Sequence, residues 1–264
     1  VVDRAPAQLW GPLRDFWQEN GFLLDIDQET LGIMETDWAE NRAKIPQDFI
    51  RSTIGRIFDS AYSTGERDKF RTRLERNASG GTEIYVTHRG MVEVYSSSEK
   101  DSTVWQPRPA DPELEAEFLR RLMLKLGVSE AQAQSVAATA PARQNARVAT
   151  VNNQPVLQFN DNFDRAWRRV GLSLDRSGFT VEDRNRSEGT YFVRYVEPVV
   201  EANKPGFFAR MFGAESKQPT PQRYRILVKS ENDATTVSVL DAQGQPDASQ
   251  NAQRIVQLLA ADLN

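Results

Sequence analysis

Histidine is the commonest general base in enzymes, and this chain of 264 residues has one, His88, in the stretch THRG. No acid stands beside it in sequence to orient the ring, so a structural or surface histidine is a cheaper reading than a catalytic one. There is no cysteine, which excludes disulfides, thiolate nucleophiles and cysteine metal sites in this chain. Glu35 and Asp37 lie two apart on a predicted strand and share a face, as an acid pair would, but the alternation of a solvent-facing strand explains them more cheaply. The stretch DIDQET opens like a calcium loop and then fails: Thr30 stands where the loop needs glycine and Thr36 where it needs glutamate. The serines of SGG (79–81) and SSSEK (96–100) lack the strand–Ser–helix setting of a nucleophile elbow, and no glycine loop is built to cradle phosphate. Arg71, Arg73 and Arg76 could form a basic stripe. With Asp68, Glu75 and Glu83 nearby and a net charge of −4, a mixed solvated edge is favoured and a nucleic-acid partner is not. The expectation is no catalysis, no cofactor and no metal.

The elements that would position any site are written twice. WGPLRDFWQENGF at 10–22 overlays WRRVGLSLDRSGF at 167–179 without a gap, matching Trp10 with Trp167, Gly21 with Gly178 and Phe22 with Phe179. The register continues through Leu24 on Val181, Asp25 on Glu182, Gly32 on Gly189 and Met34 on Tyr191, and then places Trp38 on Tyr195. Further on, DKFRTRLER (68–76) resembles QRYRILVK (222–229), and GTEIYVTH (81–88) resembles ATTVSVL (234–240). A match this long implies a duplicated domain, with a period far above that of solenoid repeats.

Each copy opens with a helix, Pro6 suiting the first turn of one and Asp161 or Asn162 capping the other. Gly21 and Gly178 fit left-handed C-terminal caps. FLLDID, LGIMETDW, FTVED and EGTYFVRY alternate as half-buried strands do, and NASGG and SENDA connect two more strands in each copy. Each copy closes on a helix. In DPELEAEFLRRLMLKLG, Asp111 caps, Leu114, Phe118, Leu122 and Leu126 form an apolar stripe, and Gly127 stops it. In the second copy Asp247 is the expected cap and Ala248, Ala252, Ile255, Leu259 and Leu263 the matching face. A striped helix needs a surface, and an alternating antiparallel sheet supplies one. The fold class is therefore α+β: two tandem domains at 1–128 and 155–264, each an antiparallel sheet with helices on one face. Between them, residues 129–154 are rich in Ala, Gln, Ser and Asn and read as a flexible linker with at most a helical turn at 129–138. PVLQFND reads as the opening strand of the second domain, so the first domain's equivalent is expected to be cut short at VVDR.

Both copies carry insertions. PQDFIRSTIGRIFDSAYSTGE places Phe49, Ile50, Ile54, Ile57, Phe58 and Tyr62 on one helical face, and KPGFFARMFGAESK clusters Phe207, Phe208, Met211 and Phe212 beside Lys204, Arg210 and Lys217. The second cluster is the candidate partner-binding site, since exposed apolar patches mark interaction surfaces.

Taken with HRGMVEVY, WQPRPADPELEAEFLRRLMLKLG and DAQGQPDASQNAQRIVQLLAADL, these stretches resemble the outer membrane assembly lipoprotein family BamC, also called NlpB, over nearly the whole chain. The resemblance implies two helix-grip domains and a non-enzymatic subunit of the β-barrel assembly (BAM) complex. It implies attachment to the outer membrane by lipid, facing the periplasm, with partial surface exposure left open. It also implies BamD as chief partner, through an N-terminal segment expected upstream of residue 1 together with the lipidated cysteine. The competing reading is a ligand-binding domain holding an apolar molecule between helix and sheet.

Overall fold

Leu9, Trp10, Leu13, Phe16 and Trp17 recur at helical spacing, and in the computed structural model they are the buried face of α1 (Pro6–Glu19). The structure describes residues 1–39, 65–77, 79–96, 102–138, 146–195 and 221–264. The chain divides into two units, Val1–Ala142 and Arg143–Asn264.

In the first unit α1 is followed by β1 (Leu24–Gln28), a 3-10 turn, β2 (Ile33–Thr36), β3 (Glu66–Arg76), β4 (Thr82–Tyr95), β5 (Thr103–Arg108), α2 (Pro112–Lys125) and α3 (Glu130–Ala138). The strands form one antiparallel sheet in chain order, β1-β2-β3-β4-β5. Helices α1 and α2 cover one face. Trp17 stacks on Phe70 at 5.3 Å and on Phe118 at 5.4 Å, joining α1, β3 and α2 in one aromatic core.

The second unit runs β6 (Arg147–Val151), β7 (Gln154–Asn160), α4 (Phe163–Arg176), β8 (Thr180–Asn185), β9 (Thr190–Tyr195), β10 (Gln222–Glu231), β11 (Ala234–Leu240) and α5 (Gln250–Leu263). Its sheet order is β6-β7-β11-β10-β9-β8. Helices α4 and α5 bury Trp167, Val170, Leu174, Ile255, Val256 and Leu259 against it, and Trp167 stacks on Tyr191 at 3.8 Å.

The duplication holds at the level of single bonds. Helices α1 and α4 both end in glycines with positive φ, 83° at Gly21 and 78° at Gly178. The next residue then donates back into the last turn, Phe22 to Trp17 and Phe179 to Leu174. Both first hairpins carry a β-bulge at the same place, between Leu24 and Ile26 and between Val181 and Asp183. Val2 bridges Thr82 as Phe159 pairs with Thr235. The two threonines make the same bond, Thr82 Oγ1 to the Arg4 carbonyl at 2.6 Å and Thr235 Oγ1 to the Asp161 carbonyl at 2.7 Å.

Three expectations change. Residues 147–154, read as linker, form β6 and its hairpin onto β7. Their polar composition suits an edge strand, which needs few core side chains. Residues 130–138 form the helix α3, anchored through the fully buried Ala133. The cap of α5 is Ser249, whose side chain accepts from the Ala252 N–H, while Asp247 instead accepts from Ser249 and Ala248 lies outside the helix. Asp111 and Asn162 cap α2 and α4 as their types suggest.

Candidate functional site

His88 lies opposite Phe70 in the β3–β4 pairing, on the helix-covered face, and is fully buried. Its ring is held at both nitrogens. Nδ1 accepts the Asp111 N–H at 3.0 Å, and Nε2 lies 3.0 Å from Asp68 Oδ1. An acceptor at Nδ1 leaves the ring proton on Nε2, so the imidazole donates to Asp68. Asp68 is also paired with Arg108, and the His88 backbone N–H donates to Glu115 Oε1 at 2.9 Å. An acid therefore does orient His88, contrary to the sequence reading. Asp68 stands 20 residues away in the chain and only strand pairing brings it near. With no free nitrogen and no nucleophile among these groups, the cluster cannot act as a general base. It ties the first turn of α2, through Asp111 and Glu115, to strands β3, β4 and β5.

Strand β3 is unusual because both of its faces are buried. Asp68, Phe70, Thr72 and Leu74 point toward the helices, and Lys69, Arg71, Arg73 and Glu75 point to the opposite face with 6%, 5%, 1% and 5% exposure. Glu35, on β2, is their focus: Arg71 Nε lies 2.6 Å away, Lys69 Nζ 2.9 Å and Arg89 Nη2 3.3 Å. Burial is the largest influence on this carboxyl and pushes its pKa up. The nearby charges of Arg71 and Arg89 and the bond from Lys69 together outweigh it and hold the pKa below the ordinary 4.5. Aromatic rings are interleaved with the cations. The Arg67 guanidinium lies 3.9 Å from the Trp105 ring centre, Arg73 lies 4.4 Å from Tyr85, and Lys69 lies 5.6 Å from Trp38.

Two sequence readings are corrected here. Glu35 is not solvent-facing, although Asp37 is exposed, and Arg71 and Arg73 do not form a solvated edge, although Arg76 does reach solvent. Alternation in a strand says which residues share a face. It does not say whether the polar face is wet. Locked among three cations, Glu35 is a structural counter-ion and not an acid catalyst.

DIDQET, rejected as a calcium loop, spends its acids on cations and on a core indole. Asp25 pairs with Lys69, and Asp27 accepts from Trp10 Nε1 at 2.7 Å and from Arg14 Nε at 2.9 Å. Among the described residues no group of three or more acidic or histidine side chains is placed to hold a metal. None of their helices is long and apolar enough to cross a membrane.

In the second unit a shallow cleft of about 460 Å³ lies between the start of β10 and the start of α5, lined by Arg223, Tyr224, Asp241, Asp247 and Asn251 among others. It is open to solvent, and Asn251 and Gln222 in its wall bond each other at 3.0 Å. Between helices and sheet, the described aromatic and aliphatic side chains of each unit form one buried cluster. The candidate partner residues Phe207, Phe208, Met211 and Phe212, and the apolar face from Phe49 to Tyr62, lie outside the described residues.

Comparison with known proteins covers both units. Residues 3–140 match the family model of the outer membrane protein assembly factor BamC-like N-terminal domain, and residues 146–263 match that of the BamC-like C-terminal domain. The chain is 52% identical to an outer membrane protein assembly factor BamC of Thiobacillus denitrificans, across 100% of this chain and 73% of that protein. It is 50% identical to one from Accumulibacter regalis, across 98% and 70%, and 39% identical to an uncharacterized protein of Neisseria meningitidis, across 100% and 68%. With both domain models matched in order and half the residues identical to named relatives along its whole length, the chain belongs to the outer membrane protein assembly factor BamC family.

Proposed function

We propose that this protein is a non-enzymatic accessory subunit of the BAM complex and works through protein–protein contacts during folding and insertion of outer membrane proteins. The observation that carries the reading is the match of both units to the assembly-factor domains. It is supported by what the described residues do with their polar groups: His88, Glu35 and Asp68 are each fixed in closed networks that leave no acid, base and nucleophile to combine. The buried aromatic and aliphatic clusters between helices and sheet favour a scaffold over a carrier of an apolar ligand.

On this reading the protein is held at the outer membrane by a lipid upstream of residue 1 and faces the periplasm, and BamD binds the segment that precedes the first domain. The units described here would supply further contacts. Phe207, Phe208, Met211 and Phe212 form the proposed docking cluster, because the helix of about two turns that their spacing predicts between Pro205–Gly206 and Gly213 would not be stable alone in water.

The test is affinity purification of the tagged, lipidated full-length protein from membranes, with and without Phe208→Ser and Phe212→Ser. Recovery of the assembly complex by the parent protein supports the reading. Its absence overturns it. Loss of a partner by the double variant at an unchanged melting temperature supports the docking cluster, and a large fall in melting temperature overturns it in favour of a core role.

A further inference from the structure

A sheet edge carries unpaired N–H and C=O groups, and natural proteins blunt such edges with bulges, prolines or charges. Among the described residues two sheets have four edges, β1 and β5 in one unit and β6 and β8 in the other. Three are blunted. β1 is bulged between Leu24 and Ile26 and carries Asp25 and Asp27. β8 is bulged between Val181 and Asp183 and carries Glu182, Asp183 and Arg184. β5 contains Pro107.

β6 has neither bulge nor proline, and its one charge, Arg147, stands at its first position. Its sequence is RVATV, it pairs with β7 without a register shift, and it leaves Val148 48% and Val151 41% exposed. The hairpin fixes which backbone groups face outward. Asn152 and Asn153 both have positive φ, 49° and 61°, as a two-residue type I′ turn requires. Val151 and Gln154 are therefore the closing, doubly hydrogen-bonded pair, and the alternation of an antiparallel ladder turns Arg147 and Ala149 toward β7 as well. Val148 and Thr150 must then direct their N–H and C=O away from β7. Pro155, which has no N–H, stands opposite Thr150, where no bond to β6 is needed.

We infer that β6 is a β-augmentation site that takes up, as an added strand, an extended segment of an unfolded outer-membrane β-barrel protein. The occupant is chosen on two grounds. β6 is five residues long, about 17 Å at the usual strand rise. A second copy pairing along it would cover less than the roughly 1,200 Å² of a stable dimer, whereas brief capture of a folding chain needs no such area. Barrel strands alternate apolar and polar residues and are extended before they close. They match an edge with exposed valines and no internal charge to repel them. The choice of occupant rests on the assembly-factor reading proposed above.

The experiment is amide hydrogen exchange by NMR on the full 264-residue chain. The probe is an eleven-residue peptide copying one barrel strand, with a scrambled peptide lacking alternation as control. Protection of the Val148 and Thr150 amides by the strand peptide alone is expected. Thr150→Pro, which removes an outward N–H and no bond to β7, should keep the melting temperature and lose the protection, and Val148→Lys should do the same should the proline variant not fold. No protection, or protection confined to other elements, overturns the proposal. So does protection that grows with protein concentration in the absence of peptide, which would make the occupant a second copy. Recovery of the assembly complex from membranes, measured separately, tells failure of this edge from failure of the assembly role itself.

Discussion

Lys69 Nζ lies 2.8 Å from Asp25 Oδ2, reaching from the central strand β3 across β2 to the bulge in β1. The second unit repeats the relationship: Arg223 Nε on β10 lies 2.8 Å from Glu182 Oε2 at the bulge of β8. A bulge turns one residue out of the alternating pattern, and in both copies that residue is an acid aimed at a base two strands away. The first copy has elaborated it. Lys69 is buried and shares Glu35 with Arg71 and Arg89, while Arg223 is exposed and meets its acid in water.

That difference predicts a unit-specific acid sensitivity. The carboxyls of Glu35 and of Glu117, on α2, both titrate below the ordinary 4.5. For each, burial works against the shift; Arg71, Arg89 and Lys69 overcome it for Glu35, and Arg120 and Arg121 for Glu117. A carboxyl depressed in the folded state contributes stability above its unfolded pKa and loses it as pH falls through the folded value. The first unit should therefore lose stability below about pH 4.5. Replacing Glu35 with Ala should cost roughly 3 kcal/mol at neutral pH by uncovering buried cations and should flatten this part of the acid dependence. Melting temperatures from pH 7 to pH 3 for both proteins check it.

His88 should be found as the Nε2–H tautomer, with Nδ1 unprotonated, in ¹⁵N-resolved NMR of the imidazole. It is the chain's one histidine, so no assignment is needed. Replacing it with Ala should destabilise the first unit by roughly 2–4 kcal/mol, from a lost buried side chain and two lost hydrogen bonds. The Nδ1–H tautomer, or a neutral effect, would break the proposed link between α2 and the sheet.

Gly21 and Gly178 offer a test of independence between the units. A β-branched residue at positive φ is strained by about 1 kcal/mol or more, so Gly21→Val should lower the stability of the first unit and Gly178→Val that of the second. Trp167 is the only one of the five tryptophans in the second unit, which lets fluorescence follow each transition. Equal shifts in both units from one substitution would mean a shared core.

Thr82 and Thr235 should behave alike. Thr→Val at either position removes a buried hydroxyl bond to a carbonyl just ahead of the opening helix and should cost about 1 kcal/mol, read by chemical denaturation. A cost at Thr235 with none at Thr82 would show that the Val2 bridge contributes little to the first unit.

The sequence by itself determined the duplication, the order of the helices and strands that the two copies share, though not β5 or β6, and most of the helix ends. These rest on local chemistry: a side chain that caps its own helix, a glycine that alone tolerates a left-handed turn, a stripe that repeats every few residues. It also carried the bulge acids in register, Asp25 on Glu182, without revealing that they were bulges. Tertiary structure decided the rest. Composition could not distinguish a linker from an edge strand, because β6 is defined by hydrogen bonds to β7 and buries almost nothing. Charge alternation could not show that the outward face of β3 is dry, because burial there depends on what lies over the sheet. The acid that orients His88 stood two strands' length away in sequence, and a partner so distant becomes a neighbour only when β3 and β4 pair.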